Sequence, residues 1–163
     1  MGRYIINLPS KPRIIGAAAV VGSEEGKGPL LSEFDYAYKE DYIGEKNFEL
    51  GESRLLKDAI NRAIVKSGLK NDDMDMVFAG DLLNQCIAST FGLMEFNIPF
   101  SGIYGACSTF SLSLALAGIM ADSGAVRYAV AASSSHFCSA ERQYRFPLEY
   151  GGQRAPTAQR TVT

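Results

Sequence analysis

A chain of 163 residues, 47% hydrophobic and 21% charged, is long enough for one domain with a real core and has the composition of a globular rather than a disordered protein. Sixteen basic against eighteen acidic residues leave a net charge of −2, which exerts no general pull toward nucleic acid. The longest apolar run, 112–121, is too short and too interrupted by serine to span a membrane, and no basic segment leading into an apolar one opens the chain as a signal peptide does.

In chain order, RIIGAAAVV at 13–21 predicts a short, fully buried strand ended by Gly22. The stretch 23–50 reads as a long excursion with one or two short helices: between 24 and 49 it holds eight acids against three lysines, with Tyr36, Tyr38, Tyr42 and Phe48 interspersed. It is either a solvated cover or a partner-facing flap. Leu55, Leu56, Ala59, Ile60, Ala63 and Ile64 recur at one-face spacing and predict a helix that Gly68 ends. Residues 75–80 predict a strand stopping at Gly80-Asp81, and 84–96 a helix weakened by Ser89, Thr90 and Gly92. After Asn97 and Pro99 come a strand at 100–104, a sharp Gly-Ala-Cys turn, an apolar helix at 107–122 and a strand at 126–133. Residues 139–163 carry four arginines, two prolines and Gly151-Gly152, and predict an irregular loop. Apolar strands alternating with helices indicate an α/β protein whose mostly parallel sheet is covered on both faces.

Ligands of open α/β sheets gather at the carboxyl ends of the strands. Asp81, Cys107 and Ser134-Ser135-His136 follow three successive strands there, and the arginine-bearing loop leaves from the same edge. Cys107 stands where a helix start offers unpaired N–H groups and a positive dipole end, which suits a nucleophilic thiol or an anionic ligand; inert packing is the alternative. Asp81 serves as a cap for the following helix, as a ligand group, or as both. His136, the single histidine, is either a hydrogen-bonded structural residue or the base of a Cys–His pair. Arg142 and Arg145 are surface charges or bidentate carboxylate binders. Cys86 and Cys138 read as plain packing or surface residues. Three widely spaced cysteines argue against a disulfide framework or a zinc site and fit a reducing compartment. Nothing marks a metal site, a phosphate loop or a nucleic-acid surface.

The GACST segment at 105–109 resembles the nucleophile turn of thiolase-like condensing enzymes. More specifically, GSEEGKGPL at 22–30, AGDLLNQ at 79–85, FSGIYGACST at 100–109, SSSH at 133–136 and AERQYRFPLEYGGQ at 140–153 resemble the stage V sporulation protein AD family. That resemblance implies a thiolase-like fold of two similar halves, usually dimeric, with residues 1–163 as the amino-terminal domain, lacking a fifth strand and the second half. It also implies a non-enzymatic protein that binds dipicolinic acid (pyridine-2,6-dicarboxylate), moved as its calcium chelate into the developing spore. Membrane-bound partner proteins are implied too, with the protein peripheral on the cytoplasmic face of the inner forespore membrane. No cofactor is implied. The family's pocket carries over to Asp81 and Cys107, with Asp81 accepting from a protonated ring nitrogen or meeting the chelated calcium. His136, Glu141, Arg142 and Arg145 are added by position and charge. Two other readings stay open: an acyl-transferring condensing enzyme with Cys107 as nucleophile, and an interaction scaffold with a vestigial pocket. Helix 107–122 is apolar nearly all round and is expected to need cover on every side, from the second half or from another chain.

Overall fold

The central strand, β3 (Met76–Gly80), is apolar on both faces, and the layers are built from that fact. In the computed structural model, which describes residues 5–144, β3 lies between β4 (Phe100–Gly102) and β5 (Ala129–Ser133), and both neighbours run parallel to it. Val77 pairs with Phe100 on one side and Val130 on the other. Alternate residues of a strand face opposite ways. Val77 and Ala79 therefore pack with Leu56, Ile60 and Ile64 of α1 (Phe48–Ser67) and with Leu93 of α2 (Ile87–Leu93). Met76 and Phe78 pack with Leu116, Ala117 and Met120 of α3 (Thr109–Asp122). The parallel strands require crossovers, and α2 and α3 supply them on opposite faces of the sheet.

Two local signals bound α1. The Asn47 side chain accepts the Leu50 N–H at 2.8 Å, and Gly68 closes the helix in the left-handed region at φ 76°, where a side chain would be strained. The Asn47 cap starts the helix two turns before the Leu55 periodicity begins. At the other layer α3 meets the sheet through small residues, Thr109, Ser113 and Ala117, one per turn. Gly80 makes this approach possible: a Cβ there would sit 1.7 Å from the Ile103 carbonyl oxygen and 2.8 Å from a Thr109 methyl. Of the large side chains of the helix, Leu116 and Met120 pack toward the sheet, while Phe110, Leu112, Leu114 and Ile119 are exposed.

Three expectations change. Of 13–21 only Val20–Val21 forms a strand, β1, paired in parallel with β2 (Tyr36–Ala37). The rest is a strap: Ser10 bonds Asp122 at the end of α3, and Gly16 lies on Ala63 of α1, so the segment passes between layers without entering the three-stranded sheet. Ile14 and Ile15 are consequently 73% and 53% exposed. The helix expected at 84–96 starts only at Ile87, because Gln85 and Cys86 take left-handed φ values of 61° and 52°. Residues 137–144 form a helix, α4 (Phe137–Tyr144), where a loop was expected from 139; the rest of that loop lies outside the described residues. The excursion 23–50 carries two single 3-10 turns (Glu25–Lys27 and Leu31–Glu33) and β2, and its last residues are the first turn of α1. Ile43 is fully buried, Tyr38 bonds Asp58 of α1, and Asp35 pairs with Lys66 at 2.9 Å, so it packs as a cover. No helix of the described residues is long and apolar enough to cross a membrane.

Replacing Gly80 with alanine forces β3 away from the Ile103 carbonyl. The Gly80→Ala variant is expected to lose roughly 3 kcal/mol of unfolding free energy, read as a lower denaturant midpoint. An unchanged midpoint would contradict the close approach.

Candidate functional site

Two of the three loops that leave the carboxyl edge of the sheet turn through non-glycine residues in the left-handed region. Gln85 and Cys86 do so between β3 and α2, and Ala106 (φ 48°) does so after β4. Such conformations cost of order 1 kcal/mol each and are held by what surrounds them. In the first loop the holder is Asp81, 1% exposed. Its Oδ1 accepts the Leu83 N–H at 2.9 Å; its Oδ2 accepts the Ser89 N–H at 2.7 Å and the Ser89 hydroxyl. The carboxylate thus spans the kink and caps α2, the capping role left open by the sequence. In the same loop the Cys86 thiol donates to the Ile103 carbonyl at 3.7 Å, and burial, then the Asp81 charge, push its pKa up.

Cys107 sits in a 3-10 turn, Ala106–Ser108, that leads into α3, and it is exposed. Ser108 bonds back to the Gly105 carbonyl at 2.7 Å, and Thr109 Oγ1 accepts the Gly105 N–H at 3.1 Å. Neither Gly105 nor Ser108, the residues at the N-cap positions, caps the turn or α3 with its own side chain. The site has the backbone donors of a helix start and an accessible thiol.

His136 is 2% exposed and fully engaged. Its Nδ1 accepts the Cys138 N–H at 3.1 Å, capping α4, so the ring proton lies on Nε2, which donates to the Asp41 carbonyl at 2.6 Å. Burial holds its pKa below the ordinary value, in keeping with a neutral ring. Asp41 is itself fixed by the Ser23 hydroxyl at 2.5 Å, so the imidazole pins the excursion to the end of β5. The side chains of Glu141 and Arg142, and all of Arg145, lie outside the described residues.

The residue that sequence reasoning missed is Glu52. It is 1% exposed, with Oε1 accepting from the Ser134 hydroxyl at 3.2 Å and Oε2 2.5 Å from the Ser139 hydroxyl. Burial first, and the Asp81 charge as well, push its pKa from 4.5 to about 7 against those hydrogen bonds. A signal was present: 52, 56, 60 and 64 recur every fourth residue, placing this acid on the buried stripe of α1. A separate groove of about 400 Å³ on the outer side of α1 is lined by Asp35, Asp58, Asn61, Arg62, Val65 and Lys66. Its cations are engaged, Lys66 with Asp35 and Arg62 over the Tyr36 ring. No cluster of three or more metal-ligating side chains occurs among the described residues.

A family model described as stage V sporulation protein AD (SpoVAD) matches residues 2–163. The stage V sporulation protein AD of Bacillus subtilis (strain 168) is 44% identical over 147 residues, which are 90% of this chain and 44% of that protein. The chain thus spans less than half the length of the curated relative it matches. Among solved structures, 3-oxoacyl-(acyl carrier protein) synthase III from Xanthomonas oryzae pv. oryzae is 15% identical, with 69% of this chain and 40% of that chain covered. Its TM-score of 0.42 is too low for the likeness to carry an argument.

Asp81→Ala strips three buried donors of their acceptor and is expected to lower stability by about 3 kcal/mol, with Asp81→Asn losing less. Denaturant titration of the two variants checks the order. Under brief exposure to a thiol-alkylating reagent, Cys107 is expected to react before Cys86, as read by peptide mass mapping; the reverse order would place the exposed thiol elsewhere.

Proposed function

The chain belongs to the stage V sporulation protein AD family, and from that premise we propose that it serves sporulation as a non-enzymatic binder of pyridine-2,6-dicarboxylate, received as the calcium chelate. The observation that carries the non-enzymatic part is the state of His136. Both of its ring nitrogens are engaged, by Asp41 and Cys138, so the single histidine has none left to draw a proton from Cys107. What Cys107 offers instead is its setting: an exposed turn at a helix start that Ser108 does not cap, where backbone N–H groups and the dipole favour an anion.

In this reading one carboxylate of the ligand lies at the Cys107 turn. Arg142 or Arg145 meets the other as a bidentate partner. Asp81, whose oxygens are already taken by Leu83 and Ser89, contributes by holding the 81–89 loop in shape. The membrane-bound partners and the position at the inner forespore membrane belong to the same proposal.

Calorimetric titration of the native full-length protein with dipicolinate, with and without calcium, tests it. Cys107→Ala and Arg142→Ala are each expected to weaken binding about ten-fold, equivalent to about 1.4 kcal/mol. Unchanged affinity in both would remove the pocket from this edge. A stable acyl adduct on Cys107 after incubation with acyl-coenzyme A, seen by mass spectrometry, would make the protein a condensing enzyme. Absence of binding together with co-elution with a membrane partner would leave a scaffold.

A further inference from the structure

The strap of residues 5–16 takes no part in the proposed ligand site, yet it joins the two helical layers. One end follows α3, on which Phe110, Leu114, Gly118 and Asp122 recur every fourth residue and form a row. A methyl carbon of Leu8 lies 3.2 Å from the place a Cβ on Gly118 would take. The Ser10 N–H and hydroxyl both donate to Asp122 Oδ1 at 2.7 Å. Two extended residues span about 7 Å and four helical residues about 6 Å, so Leu8 and Ser10 keep step with Gly118 and Asp122. At the other end Gly16 lies on the Ala63 carbonyl and Ser67 of α1.

The α3 end is closed by a turn under strain. The Lys11 N–H donates to the Leu8 carbonyl at 3.0 Å, and Lys11 takes a left-handed φ of 55°. A residue with a side chain is disfavoured there. Lys11 also precedes Pro12, whose ring pushes the residue before it toward an extended φ of about −120°. Burial does little to offset this, because residues 9–15 are exposed throughout, Ile14 and Ile15 among them. The turn is held by Asp122, the last residue of α3. The negative end of the helix dipole disfavours a carboxylate at that position, and the two Ser10 donors offset the penalty.

We propose that residues 8–11 are a strained clip, closed by Asp122, which lets the strap lift off α3 while the rest of the fold stays intact. Opening relaxes Lys11 to extended chain and breaks the Ser10–Asp122 and Lys11–Leu8 bonds together. It also uncovers Gly118, so that the row lies open from Phe110 and Leu114, already 51% and 40% exposed, to Asp122. The strap is thus a hinged cover for the side of α3 turned away from Thr109, Ser113 and Ala117.

The test is amide hydrogen exchange in the native full-length protein, comparing Ser10 and Lys11 with Val77 and Phe78 of β3. In the wild type the two clip amides are expected to exchange about a hundred-fold faster than the strand amides, at a rate that low denaturant leaves unchanged, as for an opening that exposes little surface. Exchange at the strand's rate and with its denaturant dependence would make the strap part of the global fold and overturn the clip. Asp122→Ala is expected to speed exchange of the Lys11 N–H, whose acceptor is Leu8 rather than Asp122, about ten-fold. Lys11→Gly, at ease with a positive φ, is expected to slow exchange at Ser10 about three-fold. A Lys11 amide indifferent to Asp122→Ala would equally overturn the proposal, as would a Ser10 amide that Lys11→Gly fails to slow.

Discussion

The architecture depends on how closely two backbones meet at the end of β3. The Ile103 carbonyl and a Thr109 methyl occupy the space a Cβ on Gly80 would need. That contact brings the β4–α3 turn against the last residue of the central strand. It also favours one side of α3 toward the sheet, the side whose fully buried residues are all small: Thr109, Ser113 and Ala117. The two strained turns, one carrying Gln85 and Cys86 and the other Ala106, then lie side by side, joined by the bond from Cys86 to the Ile103 carbonyl.

Around this apolar contact lies a polar one of different character. Asp41, Glu52, Ser134, His136 and Ser139 link the excursion, α1, β5 and α4 through bonds that are partly or fully buried. Such networks stabilise when every member is served and cost heavily when one is not. Here each polar atom has a defined duty: His136 Nδ1 caps a helix, its Nε2 holds a loop, and the Asp81 oxygens span a kink. The chemistry-bearing residues read from the sequence are therefore structural first. Among those whose side chains are described, Cys107 and Ser135 are exposed.

Much of the fold was legible in the chain. The strands at 76–80 and 129–133 and the α1 terminus at Gly68 follow from apolar runs and a left-handed glycine, all local signals. The misread segments are those whose partners are distant. The run 13–21 is apolar enough for a buried strand, but its placement depends on Ala63 and Asp122, far along the chain. Residues 139–144 look like polar loop until His136 caps the helix and Ser139 meets Glu52.

By itself the sequence determined the α/β alternation, the parallel sheet, the family and the positions of Asp81, Cys107 and His136 at strand ends, because periodicity and motif are properties of neighbouring residues. Only the tertiary structure decided which face of α3 is buried, since a helix apolar all round carries no preference in its pattern. It also decided that His136 is held at both nitrogens and that Glu52 is an acid buried among serines. The four-residue spacing hints that Glu52 is buried, but its partners and those of His136 lie as many as 95 positions away along the chain, and no spacing encodes them.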